Sequence, residues 1–592
     1  MGVDLSAVAS VLGISTNYID TRAGNVAVLP QRIAIFGQGS TGVTYPATKW
    51  QSPNAAATGA VHGYTNPLYL AHKELSPIDG DGVGSIPVTI YPLTDAAGAT
   101  AAVGDITPSG TATDAGTYYA RVSGIPGNAF SIPKGAVDVT ATIAKLGSSI
   151  GAVLGMPVTV AYAYGTVTAS AISGTGNGTL TSLVAHAGST PLPGAYQLVC
   201  TTVVTNGGVF TLTDPNGTVI SSGLTITAGA GGTCVASNVG GLDFTITDGT
   251  TDFGLNASFT ITVPATKVTV TSGWKGISAN DIRIEIVGPL LGVVFAITQP
   301  TGGTVNPTVD SALAQVGGVW ETMALNCLNV SDTTALDTYQ TFGEARWGTT
   351  SKKPLVVFSG STASAVGTAV TIPNSRPTDR VNSQLVAPGS PNLPFAVAAR
   401  QLSRIAVVAN NNPPTDYCAQ SVNGIVPGTD AVQWLWASRD LAIKAGSSTV
   451  EVVDGVIRIG DVVTFYHPTG ETPPAYRDVV DIVRAQNIIF NIGLIFASKE
   501  WAAAPLIPDD QVTVNPNARR PKDARIASAV MVDALGLQAI LSNPDVTRKS
   551  ITAVINSSNN KRLDVTIPVQ FSGNTKIKSI DLNWSFYFGT AA

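Results

Sequence analysis

The stretch between Leu146 and Thr266 contains no lysine or arginine, and most of it repeats one pattern. Short runs rich in threonine and valine, such as YQLVCTTVV, DFTITDG and SFTITVP, alternate with Asn-Gly, Gly-Gly and Pro-Asn-Gly turns. Short strands at regular spacing with such turns are typical of an all-β sandwich. We therefore predict a β-sandwich over residues 164–266, inserted in a loop of the surrounding fold.

The chain around this insertion alternates strand patterns with helix patterns. Apolar runs at residues 31–37, 86–93, 321–330, 354–359 and 383–387 predict strands, and helical spacing follows at 66–74, 138–154, 333–347 and 394–410. Such alternation favours a parallel α/β sheet. Residues 478–498 and 522–541 are candidates for long helices. The predicted fold class is multidomain α+β, with an α/β core sheet, C-terminal helices and strands, the inserted all-β sandwich and extended terminal arms.

We predict six parts for the 592-residue chain. They are an N-terminal arm (1–28), an N-terminal α+β region (29–163), the inserted β-sandwich (164–266), an α/β core (267–500), a C-terminal helical region (501–562) and C-terminal arm strands (563–592).

The C-terminal arm has its own pattern. Residues 563–571 (LDVTIPVQF) and 577–588 (IKSIDLNWSFYF) both alternate apolar and polar positions, and the turn-like sequence SGNT separates them. The pattern predicts a hairpin-like tail with an exposed pairing edge. In a protein that assembles, a neighbouring subunit can cover such an edge.

Composition excludes several classes of protein. Charged residues make up 12% of the chain, about half of the usual ~25%. The formal net charge of −5 predicts no nucleic-acid partner. The four cysteines form no C-x-x-C pair and are predicted to be reduced core thiols. The first residues lack a basic secretory n-region, and no apolar run reaches ~20 residues, so we expect synthesis in a cytoplasm and no membrane insertion.

Motifs that suggest an enzyme are incomplete. Residues 37–42 match G-x-G-x-x-G after a strand, but prolines follow where a helix should open. Ser149 of a G-x-S-x-G match lies inside a predicted helix. His62-Gly63 has no serine nucleophile motif to accompany it, and Asp79-Gly80-Asp81 lacks the later ligands of a calcium loop. We expect no enzymatic activity, no catalytic residue, no cofactor and no metal.

A series of motifs along the chain resembles the tail sheath proteins of contractile bacteriophages, particularly the Mu-like branch. In order they are 30–37 (PQRIAIFG), 156–160 (MPVTV), 274–282 (WKGISANDI), 310–313 (DSAL), 346–348 (RWG), 454–466 (DGVIRIGDVVTFY) and 476–479 (YRDV). The insertion has a separate likeness to β modules of phage head-decoration proteins, through TGNGTL at 175–180, TLTDPNG at 211–217 and DGTTDF at 248–253.

The resemblance implies a structural subunit of a virion tail, assembled in the bacterial host. Such subunits stack as six-membered rings around an inner tail tube, meet baseplate and tail terminator proteins, and contract to drive the tube through the host envelope for genome ejection and entry. It also implies arms that add strands to a neighbour. Here the arm residues would be Ser15, Thr16, Asn17, Tyr18, Ile19, Val565, Ile567, Val569, Phe571, Ile580, Leu582, Trp584 and Phe586. Lys522, Asp523 and Arg525 would face the tube.

Three alternatives stay open at this point. The insertion also suits a phage fibre or adhesin. A sheath subunit can serve in a phage-derived bacteriocin or injection device instead of a virion. A subtilisin-like hydrolase is suggested only by the α/β core and His62-Gly63.

Overall fold

A computed structural model describes residues 26–582 apart from 79, 228, 230, 577 and 579. The elements before the insertion are β1 (Ile33–Gln38), β2 (Trp50–Ser52), α1 (Ala55–His62), α2 (Pro67–Leu75), β3 (Val88–Leu93), β4 (Ala101–Ala112), β5 (Gly116–Val122), β6 (Ile125–Pro126), β7 (Phe130–Ile132), β8 (Gly135–Ala136), α3 (Val139–Gly151) and β9 (Val158–Tyr164). The Asn66 and Asp138 side chains accept hydrogen bonds from the first turns of α2 and α3 and so fix where these helices begin.

The insertion is made of strands alone. They are β10 (Thr168–Ala169), β11 (Thr179–Ala185), β12 (Gly194–Val204), β13 (Gly207–Thr213), β14 (Val219–Thr225), β15 (Thr233–Val239), β16 (Leu242–Thr247) and β17 (Ser258–Val263). They form one sheet of order β10-β17-β12-β13-β14 and a second of order β11-β16-β15. Alternate residues, such as Leu198 and Phe210 from one sheet and Phe244 and Ile246 from the other, fill a separate buried core. The predicted all-β sandwich is confirmed.

Strands and helices alternate again after the insertion. The elements are β18 (Ala265–Lys275), β19 (Ile284–Val287), β20 (Val293–Thr301), α4 (Asp310–Ala314), β21 (Met323–Asn326), α5 (Thr333–Trp347), β22 (Val356–Ser361), α6 (Val366–Ala369), α7 (Thr371–Asn374), β23 (Asn382–Val386), α8 (Pro394–Asn411), β24 (Ser421–Val422), α9 (Trp436–Lys444), β25 (Thr449–Val453), β26 (Val456–Asp461), α10 (Val479–Phe496), α11 (Lys499–Ala502), α12 (Pro521–Leu537), β27 (Leu541–Ser542), α13 (Pro544–Ser550), β28 (Thr552–Asn556), β29 (Asn559–Thr566) and β30 (Gln570–Phe571). Short 3₁₀ helices cover Ile277–Asp281 and Asp430–Val432.

The core sheet has the order β2-β3-β1-β21-β22-β23, and all its pairs are parallel except β2–β3 at one edge. Ile33 and Ile35 join the large core that contains α2 and α8, whereas Ala34 and Phe36 join a second core that contains α4 and α5. Successive residues of a strand point to opposite faces, so an unbroken apolar run such as IAIF fits a sheet that is covered on both sides. The predicted parallel α/β core is confirmed.

A second sheet, of order β20-β4-β18-β9, carries the insertion. Its strands β9 and β18 pair in antiparallel fashion up to Tyr164 and Ala265, and the Gly165 N–H donates to the Pro264 carbonyl at 2.9 Å. The chain therefore leaves and re-enters this sheet at adjacent positions.

Helix α10 connects two cores. Val479 and Val483 in its first half belong to the large core, whereas Ile488 belongs to a small C-terminal core with Met531 and Leu535 of α12. By length and composition α10 is apolar enough to cross a membrane, but half of it is buried inside this fold. Because its buried residues pack into both cores, α10 is a core helix that connects the large core to the small C-terminal core.

The predicted tail hairpin differs from the observed pairing. Residues 563–566 belong to β29, which pairs with β28 through a turn at Ser557-Ser558, and β30 pairs with β27. The single strand predicted over 563–571 is interrupted at Pro568, which has no N–H to donate to a ladder. Residues 578 and 580–582 are not in a strand, and the rest of the predicted second strand lies outside the described residues.

The prediction of four core thiols is wrong at one position. Cys200 and Cys327 are buried and Cys234 is half-buried, but Cys418 is exposed. All four are free.

Candidate assembly site: the anchors of both chain ends

The first described residues run along α10 in extended conformation. The Asn491 Oδ1 accepts from the Ala27 N–H at 3.1 Å, and its Nδ2 donates to the Ala27 carbonyl at 2.9 Å. One turn earlier on α10, the Asn487 Oδ1 accepts from the Leu29 N–H at 2.8 Å. We call residues 26–31 the N-terminal strap. The backbone of the strap is hydrogen-bonded by side chains of α10, because the backbone N–H and C=O groups inside a helix are already bonded to one another.

A C-terminal strap, residues 570–576, runs from the small C-terminal core toward the start of the same helix. Phe571 pairs with Leu541 and packs into the small C-terminal core. The buried guanidinium of Arg484 donates to the Asn574 Oδ1 and to the Pro414 carbonyl, both at 2.6 Å. The Asn574 amide in turn donates to the Pro414 carbonyl at 3.0 Å. These contacts fix the chain up to Asn574 against α10.

The C-terminal strap ends in a charged cluster. The Lys576 ammonium lies 2.5 Å from Asp461, 2.9 Å from Asp478 and 3.4 Å from Asp416. Burial alone would lower the pKa of Lys576, but the three carboxylates outweigh burial and hold it above its usual value. Burial raises the pKa of Asp461, and Lys576 offsets that only in part. The lysine therefore stays charged and reduces the repulsion among three carboxylates that lie close together.

Both straps depend on one helix face. Arg484, Asn487 and Asn491 recur at spacings of three and four residues, which places them on one side of α10. All three are buried polar residues in a mostly apolar helix, which also buries Gln486. They were not among the predicted site residues, although a polar stripe in a mostly apolar helix is a signal that can be found without a structure. Helix α10 thus contributes contacts to both straps, while Leu541, Asp461 and Asp416 hold the C-terminal strap from other elements.

The described arm residues fall into three environments. Val565 lies in the β28–β29 hairpin, while Ile567 and Phe571 pack against the small C-terminal core. Val569 is at the margin of exposure, and Ile580 and Leu582 are 82% and 79% exposed. Ser15, Thr16, Asn17, Tyr18, Ile19, Trp584 and Phe586 lie outside the described residues.

The β28–β29 hairpin forms a two-stranded sheet of its own. Each strand pairs only with the other among the residues that the structure describes, so neither outer edge has a strand partner there, although the Ala553 carbonyl of β28 accepts from Arg525 of α12. Val554 is 56% exposed on this hairpin. An open edge with exposed apolar side chains can accept an added strand.

The residues predicted to face the tube have structural contacts at the start of α12. The Asp523 carboxylate accepts from the Arg520 N–H and caps the helix. The Lys522 N–H and the Arg525 guanidinium both donate to Asp509, and Arg525 also reaches the Ala553 carbonyl. These contacts account for the side chains of Asp523 and Arg525 and for the backbone of Lys522, and the predicted contact of all three with a tube stays a prediction.

The glycine-rich loop after β1 is closed by internal hydrogen bonds. The Ser40 N–H donates to the His62 carbonyl at 2.8 Å, and the Thr41 N–H donates to the Gly273 carbonyl at 2.7 Å. The Gly39 N–H donates to the Tyr45 hydroxyl. A phosphate-binding loop needs free N–H groups, so this loop does not have the geometry of one.

Histidines near this loop are also part of the packing. Burial lowers the pKa of His62 and lowers that of His72 to about 4. The His72 ring meets the Thr58 hydroxyl at 2.8 Å. Within residues 26–582, the five gaps aside, no group of three or more His, Cys, Asp or Glu side chains is placed to hold a metal ion.

Trp274, in the sheath-like WKGISANDI motif, is buried in the core. Its indole donates to the Ser278 hydroxyl at 3.1 Å, and its ring packs edge-on against Phe395 of α8 at 6.0 Å. Asn280 binds the Gly303 backbone through both its amide nitrogen and its oxygen. The motif therefore joins the sheet that carries the insertion to the α/β core.

Comparisons with known proteins give structural likenesses only. No family model matches the chain, and no curated protein matches it. A sheath tail protein from Listeria innocua is similar at 11% identity and a TM-score of 0.42, over 93% of this chain and 94% of that one. A sheath tail protein from Desulfitobacterium hafniense is similar at 10% identity and a TM-score of 0.37, over 92% and 93%.

A third likeness is partial. The contracted sheath complex of an extracellular contractile injection system, PVC, matches at 10% identity and a TM-score of 0.32, over 45% of this chain and 71% of that one. All three are sheath proteins, the same kind of protein that the sequence motifs resemble. Because every TM-score is below 0.5, none of these likenesses establishes the role of this chain.

Proposed function

We propose that this chain is the sheath subunit of a contractile tail. It stacks as six-membered rings around an inner tail tube, and contraction drives the tube through a host envelope. The proposal begins from the ordered series of sheath-like motifs in the sequence. The observation that carries it is the anchoring of both chain ends on α10, with the exposed residues Ile580 and Leu582 beyond the last anchor.

The anchors supply what a sheath subunit needs mechanically. A subunit that changes its packing without losing its neighbours needs a rigid body and links that survive the change. The α/β core, covered by helices on both faces, is the rigid body. The chain before the N-terminal strap and after Lys576 supplies the links, and it includes the predicted arm residues Ser15–Ile19 and Trp584.

The β28–β29 hairpin is the acceptor in this proposal. Its open edges lie in the same C-terminal region as both straps, since β28 and the C-terminal strap pack against α12 and the small core. Backbone pairing between an incoming arm and such an edge depends little on side-chain fit, so it tolerates rotation of the cores. Partner subunits, the tube, the baseplate and a tail terminator complete the assembly, and no nucleotide is consumed.

The alternatives have less support. Five aromatic residues of the insertion, Tyr196, Phe210, Phe244, Phe253 and Phe259, are buried. Tyr164 is half-buried and its hydroxyl donates to the Pro191 carbonyl, so the described residues of the insertion offer no fully exposed Tyr or Phe ring for stacking on a sugar in an adhesin. A hydrolase would need an accessible histidine, whereas His62 is 1% exposed. A virion and a phage-derived injection device use the same subunit mechanics, and the phage-type β module favours the virion.

Electron microscopy of purified protein tests the proposal. Full-length protein, supplied with a tail-tube template if needed, should form hollow tubes or stacked rings. Deleting residues 577–592 should leave a folded protein that no longer polymerises, because the anchors up to Lys576 remain while the arm is lost. Deleting 570–592 removes the anchors too and should also lower the unfolding midpoint. Normal tubes from the 577–592 deletion would refute the role of the arm, and small symmetric trimers of the full chain would favour the fibre.

A further inference from the structure

An apolar groove of about 250 Å³ lies between α10 and α12, beside the N-terminal strap. Its walls include Leu494 and Ile495 of α10 and Val530, Met531 and Ala534 of α12, and Val26 lies at its margin. Leu494 is 49% exposed in the groove wall. The space is large enough for two or three aliphatic side chains.

The direction of the N-terminal strap identifies an occupant. Leu29 bonds to Asn487, Ala27 bonds to Asn491, and Val26 then lies beside Leu494 and Ile495. Followed toward lower numbers, the chain therefore advances along α10 toward its C-terminal end and enters the groove at residue 26. Residues 1–25 precede that point.

The preceding segment carries a matching apolar pattern. Leu5, Val8 and Leu12 recur at the i, i+3 and i+7 spacing of one helix face, with serines, alanines and Val11 between them. An apolar face of this kind fits a groove between two helices. The connecting residues 13–25 can span at most about 45 Å when extended, so reach does not prevent docking beside Val26.

We propose that the groove between α10 and α12 binds the N-terminal segment of the same chain, with Leu5, Val8 and Leu12 as the inserted side chains. In the free subunit this docking holds the segment that contains Ser15–Ile19 against its own C-terminal region. If the sheath proposal is correct, docking and strand donation to a neighbour compete for this segment. The docking itself does not depend on polymerisation.

Photo-crosslinking tests the proposal on unpolymerised full-length protein at low concentration. p-Benzoylphenylalanine replaces Val530 in the groove, with Leu494 as a second site and the fully exposed Leu290 as the control. Trypsin releases residues 1–22 as one peptide, because Arg22 is the first basic residue. A mixture of ¹⁴N- and ¹⁵N-labelled protein distinguishes crosslinks within one chain from crosslinks between chains.

We expect crosslinks from positions 530 and 494 to residues 1–22 of the same isotope, and none from position 290. The triple variant Leu5→Asp, Val8→Asp, Leu12→Asp should reduce the crosslink at least tenfold. The matched variant Ser6→Asp, Ser10→Asp, Gly13→Asp adds the same charge away from the apolar face and should retain it. Intrachain docking would be overturned if neither groove position crosslinked to the 1–22 peptide. It would also be overturned if the peptide appeared only in mixed-isotope pairs, a result that would assign the groove to another copy of the chain.

Discussion

Asn491 binds the backbone of Ala27 through both ends of its side-chain amide, across 464 positions of sequence. The pair fixes where the N-terminal strap meets α10. Asn491→Ala leaves the Ala27 N–H and carbonyl without these partners, and such a loss costs about 1–3 kcal/mol. Hydrogen exchange of residues 26–31 should accelerate, and the free energy of unfolding should fall within that range.

The control for this change is Asn517→Ala, which removes an exposed asparagine. It should leave the hydrogen exchange of residues 26–31 unchanged and alter the free energy of unfolding by no more than about 0.5 kcal/mol. Unchanged exchange of residues 26–31 in Asn491→Ala would mean that the strap is held by other contacts.

Lys576 should be an electrostatic anchor whose contribution is constant near neutral pH. Its pKa is raised in the folded state, so its stabilisation is fully present below the unfolded lysine pKa of about 10.4 and is lost as the pH rises through the folded value. Lys576→Met leaves Asp416, Asp461 and Asp478 without their cation and should cost roughly 2 kcal/mol at pH 7.

Urea unfolding and hydrogen exchange of residues 570–576 measure this effect. The cost should shrink as the pH falls below neutral, because burial raises the pKa of Asp461 and its protonation removes one of the charges that Lys576 would otherwise offset. Lys561→Met, at an exposed position of β29, is the control and should behave like the unchanged protein. An equal loss from both variants would contradict a specific anchor.

Asp281 should make stability fall as the pH rises. Burial raises the pKa of Asp281 to about 7, with Arg283 opposing the rise. Because the folded value exceeds the unfolded value of about 3.9, the folded state binds this proton more tightly, and ionisation costs stability across pH 4–7. The free energy of unfolding of Asp281→Asn, relative to that of the unchanged protein, should therefore rise by on the order of 1–3 kcal/mol between pH 4.5 and pH 8.

Chemical denaturation at a series of pH values gives this difference directly. The exposed Asp510→Asn serves as the matched substitution and should track the unchanged protein at every pH. A pH-independent difference for Asp281→Asn would show that the carboxyl ionises normally in the fold.

The insertion should be removable. Joining Gly165 to Pro264 through Asn-Gly replaces residues 166–263 with a turn between two strands that already pair. We expect the shortened protein to unfold within a few degrees of the corresponding transition of the full chain, and the isolated insertion to fold on its own core. Calorimetry of the three proteins checks both statements.

Deleting only residues 166–213 is the contrasting change. It removes the four strands β10 to β13 and leaves β14 and β17 without their neighbours in the sheet, so it should produce a misfolded insertion. Loss of the core transition in the complete 166–263 deletion would mean that the insertion is required for the core to fold.

Local sequence patterns were sufficient to predict the elements whose ends and burial depend on neighbouring residues in the chain. Helix α5 matches its predicted span because Asp332 caps its start and Gly348 follows its end. The apolar run of β1 indicated a strand covered on both faces, and both cores use it. The Thr/Val strands of the insertion likewise indicated a sandwich through alternation and turns.

The anchors could not be predicted in the same way. The contact of Ala27 with Asn491 and that of Lys576 with Asp461 join residues far apart in sequence, and each depends on how whole elements pack. The β28–β29 hairpin was also missed, because its turn is Ser557-Ser558 and its strands bury few residues. Pro568 then broke a period-2 pattern that would otherwise continue to Phe571.

The attachment of both straps to α10 has a mechanical consequence. A pull on the chain before Val26 is transmitted first to Asn491 and Asn487 of α10, and a pull after Lys576 is transmitted first to Asp461, Asp478 and Asp416, of which Asp478 lies at the start of α10. Part of the tension between the two ends is then carried along the helix, whose hydrogen bonds lie parallel to its axis. A string of such subunits would behave as rods joined by short tethers, with α10 taking up part of the force that passes each folded core.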